Sequence, residues 1–296
     1  SDRFSLGLLT SSGSLGLLFP PSLPLILYAL VAKVSVDKLF IAGVLPGILR
    51  ILLITGYSIN KGVAFKVVKT AFSFRKLFNS LREAAWEIPL PFIIIGGIYG
   101  GIFTATEAAA VTAFYVLIVE VFIYRDLKLF RDIPAVIVKS MMLVGGILII
   151  LGTSLGFTGY LIDQQIPMQV LDFVKAAVES KFTFLIILNI FLLITGCVVD
   201  IFSAIIIVVP LITPIALNFG VDPVHLGIIF LTNLEIGYIT PPVGLNLFIS
   251  SFRFEKPVLK LYTSTLPFLL LMLLGLIIIT YFPDLSLVLV RIWEGR

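Results

Sequence analysis

Residues 231–250, LTNLEIGYITPPVGLNLFIS, are apolar enough to span a bilayer, yet their centre reads Gly237-Tyr238-Ile239-Thr240-Pro241-Pro242-Val243-Gly244. Two prolines remove two backbone donors, and the glycines on either side weaken a helix further. In hydrocarbon such a segment is tolerated only where the freed carbonyls and amides line a cavity or bind something. The stretch therefore predicts a broken helix, two half-spans meeting at an unwound segment near the membrane midplane.

The pattern occurs twice. Residues 10–25 read TSSGSLGLLFPPSLPL, and at an offset of 221 residues Gly16 falls on Gly237, Pro20 and Pro21 on Pro241 and Pro242, and Pro46 on Pro267. Leucine coincidences count for little in an apolar chain, but three prolines and a glycine in register indicate an internal repeat. Gly/Pro-interrupted spans at corresponding positions of two halves point to the binding site of a secondary transporter.

Composition sets the class. Of 296 residues, 59% are hydrophobic and 13% charged, about half the charged share of a soluble domain, and the mean hydropathy is +1.14. The apolar runs are continuous rather than short and alternating, which indicates helices and not a barrel. The chain reads as an all-α polytopic membrane protein. A formal charge of +4 is too weak for nucleic-acid binding, and one cysteine (Cys197) with one histidine (His225) excludes a disulfide framework or a thiol–imidazole metal cluster. The chain begins almost at once inside the first broken helix, without Met, so a longer parent protein is expected.

Taken in order, residues 1–57 form the C-terminal part of a first repeat: a broken helix at 4–32, interrupted at 16–22, and a span at 39–57. Arg50 lies about two turns from the end of that span and is expected to snorkel to the interface. Residues 58–87 carry six basic residues with Phe65, Val68, Phe72, Leu81 and Ala85 at roughly helical spacing, and read as an amphipathic interfacial arm with Trp86 at headgroup level. Scaffold-like spans occupy 88–160, with Thr106 expected to cap the span that starts at Glu107. Residues 161–181 read as an interfacial segment. The apolar run 182–217 is too long for one span and short for two, and reads as a re-entrant hairpin whose tip is 196–200. The second broken helix covers 224–251 and the last span 261–282; the tail, with Arg291, Trp293 and Arg296, reads as interfacial.

Basic residues set the orientation. If 58–87 is cytoplasmic, that side holds fourteen of them against six on the other, with Arg50 inside a span. Five crossings then separate the starts of the two broken helices, so the repeats are inverted; a hairpin adds zero or two crossings and leaves the parity unchanged.

Unwound backbone offers carbonyl oxygens and half-helix ends, the ligands that a hard monovalent cation such as Na⁺ uses inside membrane proteins. Thr240 adds a hydroxyl beside Pro241, and Gly196 at the hairpin tip lets a second backbone approach closely. Asp200 sits at that tip between long apolar arms. Glu235 with Asn233, one turn before the break, reads either as a proton or cation ligand or as a structural partner within the bundle.

Four stretches carry a resemblance to a known family: GSLGLLFPPSLP (13–24), YGGIFTATEAAAV (99–111), ITGCVVDIFSAIIIVVPLITP (194–214) and GVDPVHLGIIFLTNLEIGYITPPVGLNLF (220–248). Together they resemble the large membrane subunit of a TRAP (tripartite ATP-independent periplasmic) transporter, of the ion-transporter superfamily, over essentially the whole chain. The resemblance implies an elevator-type secondary transporter in the bacterial or archaeal cytoplasmic (inner) membrane, not an enzyme. It implies Na⁺-driven uptake of small organic anions such as dicarboxylates or sialic acid, with a small TRAP membrane subunit and a periplasmic substrate-binding protein as partners. It further implies one Na⁺ site at Gly196, Gly237, Thr240 and Val243, and another at Gly16, Phe19 and Pro20. The latter is expected to be incomplete here, because the hairpin that would complete it precedes Ser1.

Other classes fit less well. An intramembrane protease needs a catalytic pair, and the one histidine, His225, follows Asp222-Pro223 near a span start. An ion channel normally shows a pore-loop repeat or a charge ring. An ion-coupled organic-anion transporter of the same fold that works without a binding protein is the alternative.

Overall fold

A computed structural model describes residues 2–65, 73–165, 169, 178, 180–242 and 244–295. Among these it forms thirteen α-helices and no strand. We number them α1 (Asp2–Ser12), α2 (Leu23–Ala32), α3 (Val36–Ala64), α4 (Phe74–Glu83), α5 (Pro89–Tyr99), α6 (Ala105–Ile118), α7 (Asp132–Asp163), α8 (Lys181–Val198), α9 (Ile201–Asn218), α10 (Pro223–Gly237), α11 (Leu245–Phe254), α12 (Val258–Tyr281) and α13 (Asp284–Trp293). Five helices among the described residues are long and apolar enough to cross a membrane, or six if the bent pair of α1 and α2 counts as one span.

The chain divides into two compact units, Ser1–Gly62 with Ile150–Arg296, and Val63–Ile149. The first unit holds both interrupted helices. Helix α1 ends at Ser12, a short 3-10 turn follows at Leu15–Leu18, and beyond the prolines the chain enters α2 at an angle of 44°. Ser22 caps α2, its hydroxyl accepting from the Leu25 amide at 3.4 Å. The second interruption separates α10 from α11. Both breaks carry a cis Pro–Pro peptide, at Pro20–Pro21 and Pro241–Pro242. Each is followed by a long helix with one internal proline, Pro46 in α3 and Pro267 in α12. These are the positions paired by the 221-residue offset.

Helix α10 lies at the centre of the first unit, with every residue from Val224 to Gly237 buried. It packs against α8, α12, α2 and α13. The Tyr28 hydroxyl from α2 donates to the Pro223 carbonyl at 2.9 Å, which satisfies an acceptor where α10 starts. A helix this apolar and enclosed can hold polar residues only if they find partners inside. His225, Thr232, Asn233 and Glu235 are all buried. The Asn233 amide donates to the Asn189 side chain at 2.7 Å, and the Asn189 amide donates to the Thr280 hydroxyl at 3.1 Å, so α10, α8 and α12 share one polar chain.

Helices α8 and α9 meet at Val199 and Asp200. Each has 18 residues, about 27 Å at 1.5 Å per residue. By length alone either arm reaches across most of a hydrocarbon core of about 30 Å.

Two expectations are corrected. Arg50 does not snorkel: it is 1% exposed and its guanidinium forms an ion pair with Glu235. The helix that carries it runs on to Ala64, so its end is about 21 Å away along the axis and out of reach of the side chain. The cap of α6 is Thr104, not Thr106. Its hydroxyl accepts from the Glu107 amide at 3.3 Å while the Glu107 carboxylate accepts from the Thr104 amide at 2.8 Å, the reciprocal pair that a Thr-x-x-Glu spacing makes. The tail that reads as interfacial is helical beyond 283, with Ser286 and Val290 of α13 buried. The helix that holds the span at 39–57 starts at Val36 and continues through 58–64.

In the second unit, α4 leaves Phe74, Leu77, Phe78 and Leu81 exposed beside Arg75, Lys76 and Arg82. The Tyr115 and Tyr124 hydroxyls donate to the Trp86 and Glu83 carbonyls at 2.8 and 3.2 Å. Residues 66–72 and most of 166–179, on which part of the interfacial assignments fall, lie outside the described residues.

Candidate functional site

The hairpin tip meets the second break backbone to backbone. A Cβ built on Gly196 would lie 3.0 Å from the Leu234 Cα and 3.4 Å from the Gly237 Cα, and one built on Gly237 would overlap the Gly196 carbonyl. Glycine is required at Gly237, and at Gly196 a side chain would crowd α10. The sequence places Gly196 and Gly237 forty-one positions apart, and packing of α8 on α10 brings them together.

Further polar contacts lie at the junction. The Thr240 hydroxyl donates to the Ile236 carbonyl at 2.7 Å, so its proton points back into α10 and its lone pairs are free to accept. The Cys197 thiol lies within hydrogen-bonding reach of Thr240. The Tyr238 hydroxyl accepts from the Ile201 amide at 3.3 Å, tying the first residue of α9 to the break. Sequence reasoning passed over Tyr238, although an aromatic hydroxyl inside a Gly–Pro break was a visible signal. On the far side, Tyr262 of α12 donates to the Pro242 carbonyl at 3.0 Å. Val243 lies outside the described residues.

Asp200 caps α9, its carboxylate accepting from the amides of Phe202 and Ser203 at 3.0 and 3.1 Å. It is exposed at the tip. Asn233 and Glu235 face the bundle interior, Asn233 in the polar chain with Asn189 and Glu235 in the ion pair with Arg50. The structural-partner reading of Glu235 is the one the geometry favours.

At the first break the same backbone bond recurs. The Phe19 amide donates to the Gly16 carbonyl at 3.1 Å, as the Thr240 amide donates to the Gly237 carbonyl at 3.0 Å. Phe19 thus stands where Thr240 stands, without a hydroxyl. Pro20 is half-buried, and Gly16 is exposed with nothing within 4 Å of a Cβ built on it. Nearby, the hydroxyls of Thr10, Ser11 and Ser14 are buried without a hydrogen-bond partner among the described residues. Orphaned hydroxyls of this kind are expensive unless a ligand or water completes them.

The donor set is all oxygen: backbone carbonyls with a second lone pair, and hydroxyls. Such a set fits a small hard cation and no soft metal.

Comparison with known proteins identifies the architecture. The sequence model of the family described as "Tripartite ATP-independent periplasmic transporter, DctM component" matches residues 1–285. The C4-dicarboxylate TRAP transporter large permease protein DctM of Pseudomonas aeruginosa is 41% identical over 296 residues, covering 99% of this chain and 69% of that protein. The sialic acid TRAP transporter large permease protein SiaM of Vibrio cholerae is 34% identical, with 99% and 69% covered. The ectoine/5-hydroxyectoine TRAP transporter large permease protein UehC of Ruegeria pomeroyi is 32% identical, with 97% and 67% covered. The chain therefore belongs to the DctM family and is a multi-pass inner-membrane transport subunit of the TRAP type, not an enzyme.

Proposed function

We propose that this subunit imports small organic anions by coupling their movement to Na⁺, receiving them from a periplasmic substrate-binding protein and working beside a small membrane subunit. The observation that carries the reading is the contact of Gly196 with Gly237, which brings the backbones of two chain segments together three residues before the Thr240 hydroxyl. Gly196, Gly237 and Thr240, with Val243 three positions further along, would hold one Na⁺; Gly16, Phe19 and Pro20 would contribute to a second. A bound cation would supply positive charge where the anion docks, and it would release that help when it leaves, which is the thermodynamic basis of coupling. The protein's own part would be to present backbone and hydroxyl oxygens at the two breaks. Relatives named for C4-dicarboxylates and for sialic acid support an organic anion as substrate. An elevator movement of the hairpin and the broken helices belongs to the same proposal.

The test is uptake by the assembled transporter in proteoliposomes, with binding protein supplied outside. An inward Na⁺ gradient should drive accumulation of a dicarboxylate or sialic acid, and a K⁺ gradient, or omission of the binding protein, should not. Accumulation indifferent to Na⁺ overturns the coupling; accumulation without the binding protein overturns the partnership.

A further inference from the structure

Helix α3 presents one narrow stripe to both breaks. Gly43, Gly47, Arg50 and Ile54 follow at spacings of four, three and four, which puts them on one face. A Cβ on Gly43 would overlap the Leu18 carbonyl, and one on Gly47 would sit 2.6 Å from the Phe19 ring, so these two glycines seat the first break. One turn on, Arg50 pairs with Glu235, two residues before Gly237. Ile54 then joins Ile236 and Ile239, which flank the second break, in a buried cluster against which Leu15 also packs. The stripe runs from one break to the other.

The ion pair is the polar step in that stripe, and both side chains are fully buried. Apart from each other, neither the guanidinium nor the carboxylate has a hydrogen-bond partner among the described residues. Gly275 of α12 packs beside the arginine stem, where a Cβ would lie 3.6 Å from the Arg50 Cγ, an ordinary contact. Applying the 221-residue offset puts Ser14 opposite Glu235 and Leu271 opposite Arg50. The counterpart positions are thus built without charge, and the architecture does not itself require the pair. Its place is specific to the second break.

We propose that Arg50 is a positioning residue: through Glu235 it fixes the last turn of α10 relative to the first break and so holds Gly237 and Thr240 against the hairpin tip. The inference rests on the second break being the functional site, but not on Na⁺ being its ion. It predicts that neutralising the pair loosens the tip contact even when the fold survives.

Cys197 is a built-in reporter, buried at the tip beside Thr240. The experiment follows alkylation of Cys197 by a membrane-permeant maleimide in the assembled transporter, resolved by peptide mass spectrometry. Arg50→Met combined with Glu235→Met leaves no uncompensated charge, and such replacements are often neutral for stability. The double variant should melt near the parent yet label Cys197 about tenfold faster, equivalent to 1.4 kcal/mol easier opening. Labelling at the parent rate in a stably folded double variant overturns the proposal and reduces the pair to charge balance. Should the double variant fail to fold, Arg50→Lys decides, because it keeps the charge and loses the planar fork; faster labelling supports positioning and the parent rate refutes it. Protection of Cys197 by Na⁺ in the parent is a separate readout: its absence would count against Na⁺ at the tip while the variant-to-parent ratio still judges Arg50.

Discussion

Gly237→Ala is the most informative single change at the tip. The new Cβ would sit 2.6 Å from the Gly196 Cα, where ordinary contact begins at 3.4 Å, and would overlap the Gly196 carbonyl as well. Backbone cannot rotate away as a side chain can, so tip and break must separate by about 1 Å, at an overpacking cost of about 1–3 kcal/mol. If the ion ligands come from both sides of that contact, the strain is relieved at the expense of binding. A coupling of about 1–3 kcal/mol corresponds to roughly 5- to 150-fold weaker apparent Na⁺ affinity. The assay is the Na⁺ concentration dependence of uptake by the assembled transporter, normalised to the amount of folded protein. Gly56→Ala is the control, since a Cβ on Gly56 meets nothing within 4 Å; it should leave the half-saturation where it was. A Gly237→Ala protein with parental Na⁺ half-saturation and normal expression would refute the claim that tip and break share an ion.

Three other predictions follow from particular contacts. Arg50→Met alone leaves the buried Glu235 carboxylate uncompensated and should cost about 3–5 kcal/mol, read as a large drop in melting temperature in detergent that adding Glu235→Met restores. Thr104→Ala removes the cap of α6 and should cost about 0.5–2 kcal/mol, seen as a modest melting shift with unchanged Na⁺ dependence; a changed Na⁺ dependence would argue against a purely structural turn. Tyr238→Phe strips the acceptor from the Ile201 amide and should cost about 1 kcal/mol, with Cys197 becoming more reactive; unaltered reactivity would mean the hydroxyl does not hold the tip.

Much of this organisation was legible in the residues themselves. Paired prolines between glycines announced both breaks, because proline deletes a donor wherever it falls and no tertiary context can restore it. The run at 182–217 announced a break near its middle, and the break falls at Val199 and Asp200, within the tip expected at 196–200. Arg50 was not legible, because snorkelling depends on the distance to a helix end and α3 continues seven residues beyond the apolar stretch at 39–57. Its partner Glu235 lies 185 positions away, and no local pattern joins them. The cap at Thr104 could have been read, since counting three residues back from Glu107 finds it; adjacency suggested Thr106 instead. Helix α13 had its signal in Pro283, which ends the preceding span, and in the apolar spacing of Leu285, Val288 and Ile292 beyond it. Why Gly196 meets Gly237 is a matter of packing between α8 and α10. Sequence offered only that both glycines would permit it.

The central claim is that the second break binds Na⁺ through the Thr240 hydroxyl, and comparing Thr240→Val with Thr240→Ser tests it most directly. Valine keeps the shape and removes the oxygen, whereas serine keeps the oxygen together with its bond to the Ile236 carbonyl. Losing a buried ligand oxygen should cost about 1–3 kcal/mol, so the Na⁺ half-saturation of uptake should rise about tenfold or more in the valine variant. The serine variant should stay near the parent. Unchanged Na⁺ half-saturation and coupling in a well-expressed Thr240→Val transporter would contradict the account and leave Thr240 as a residue of the helix break alone.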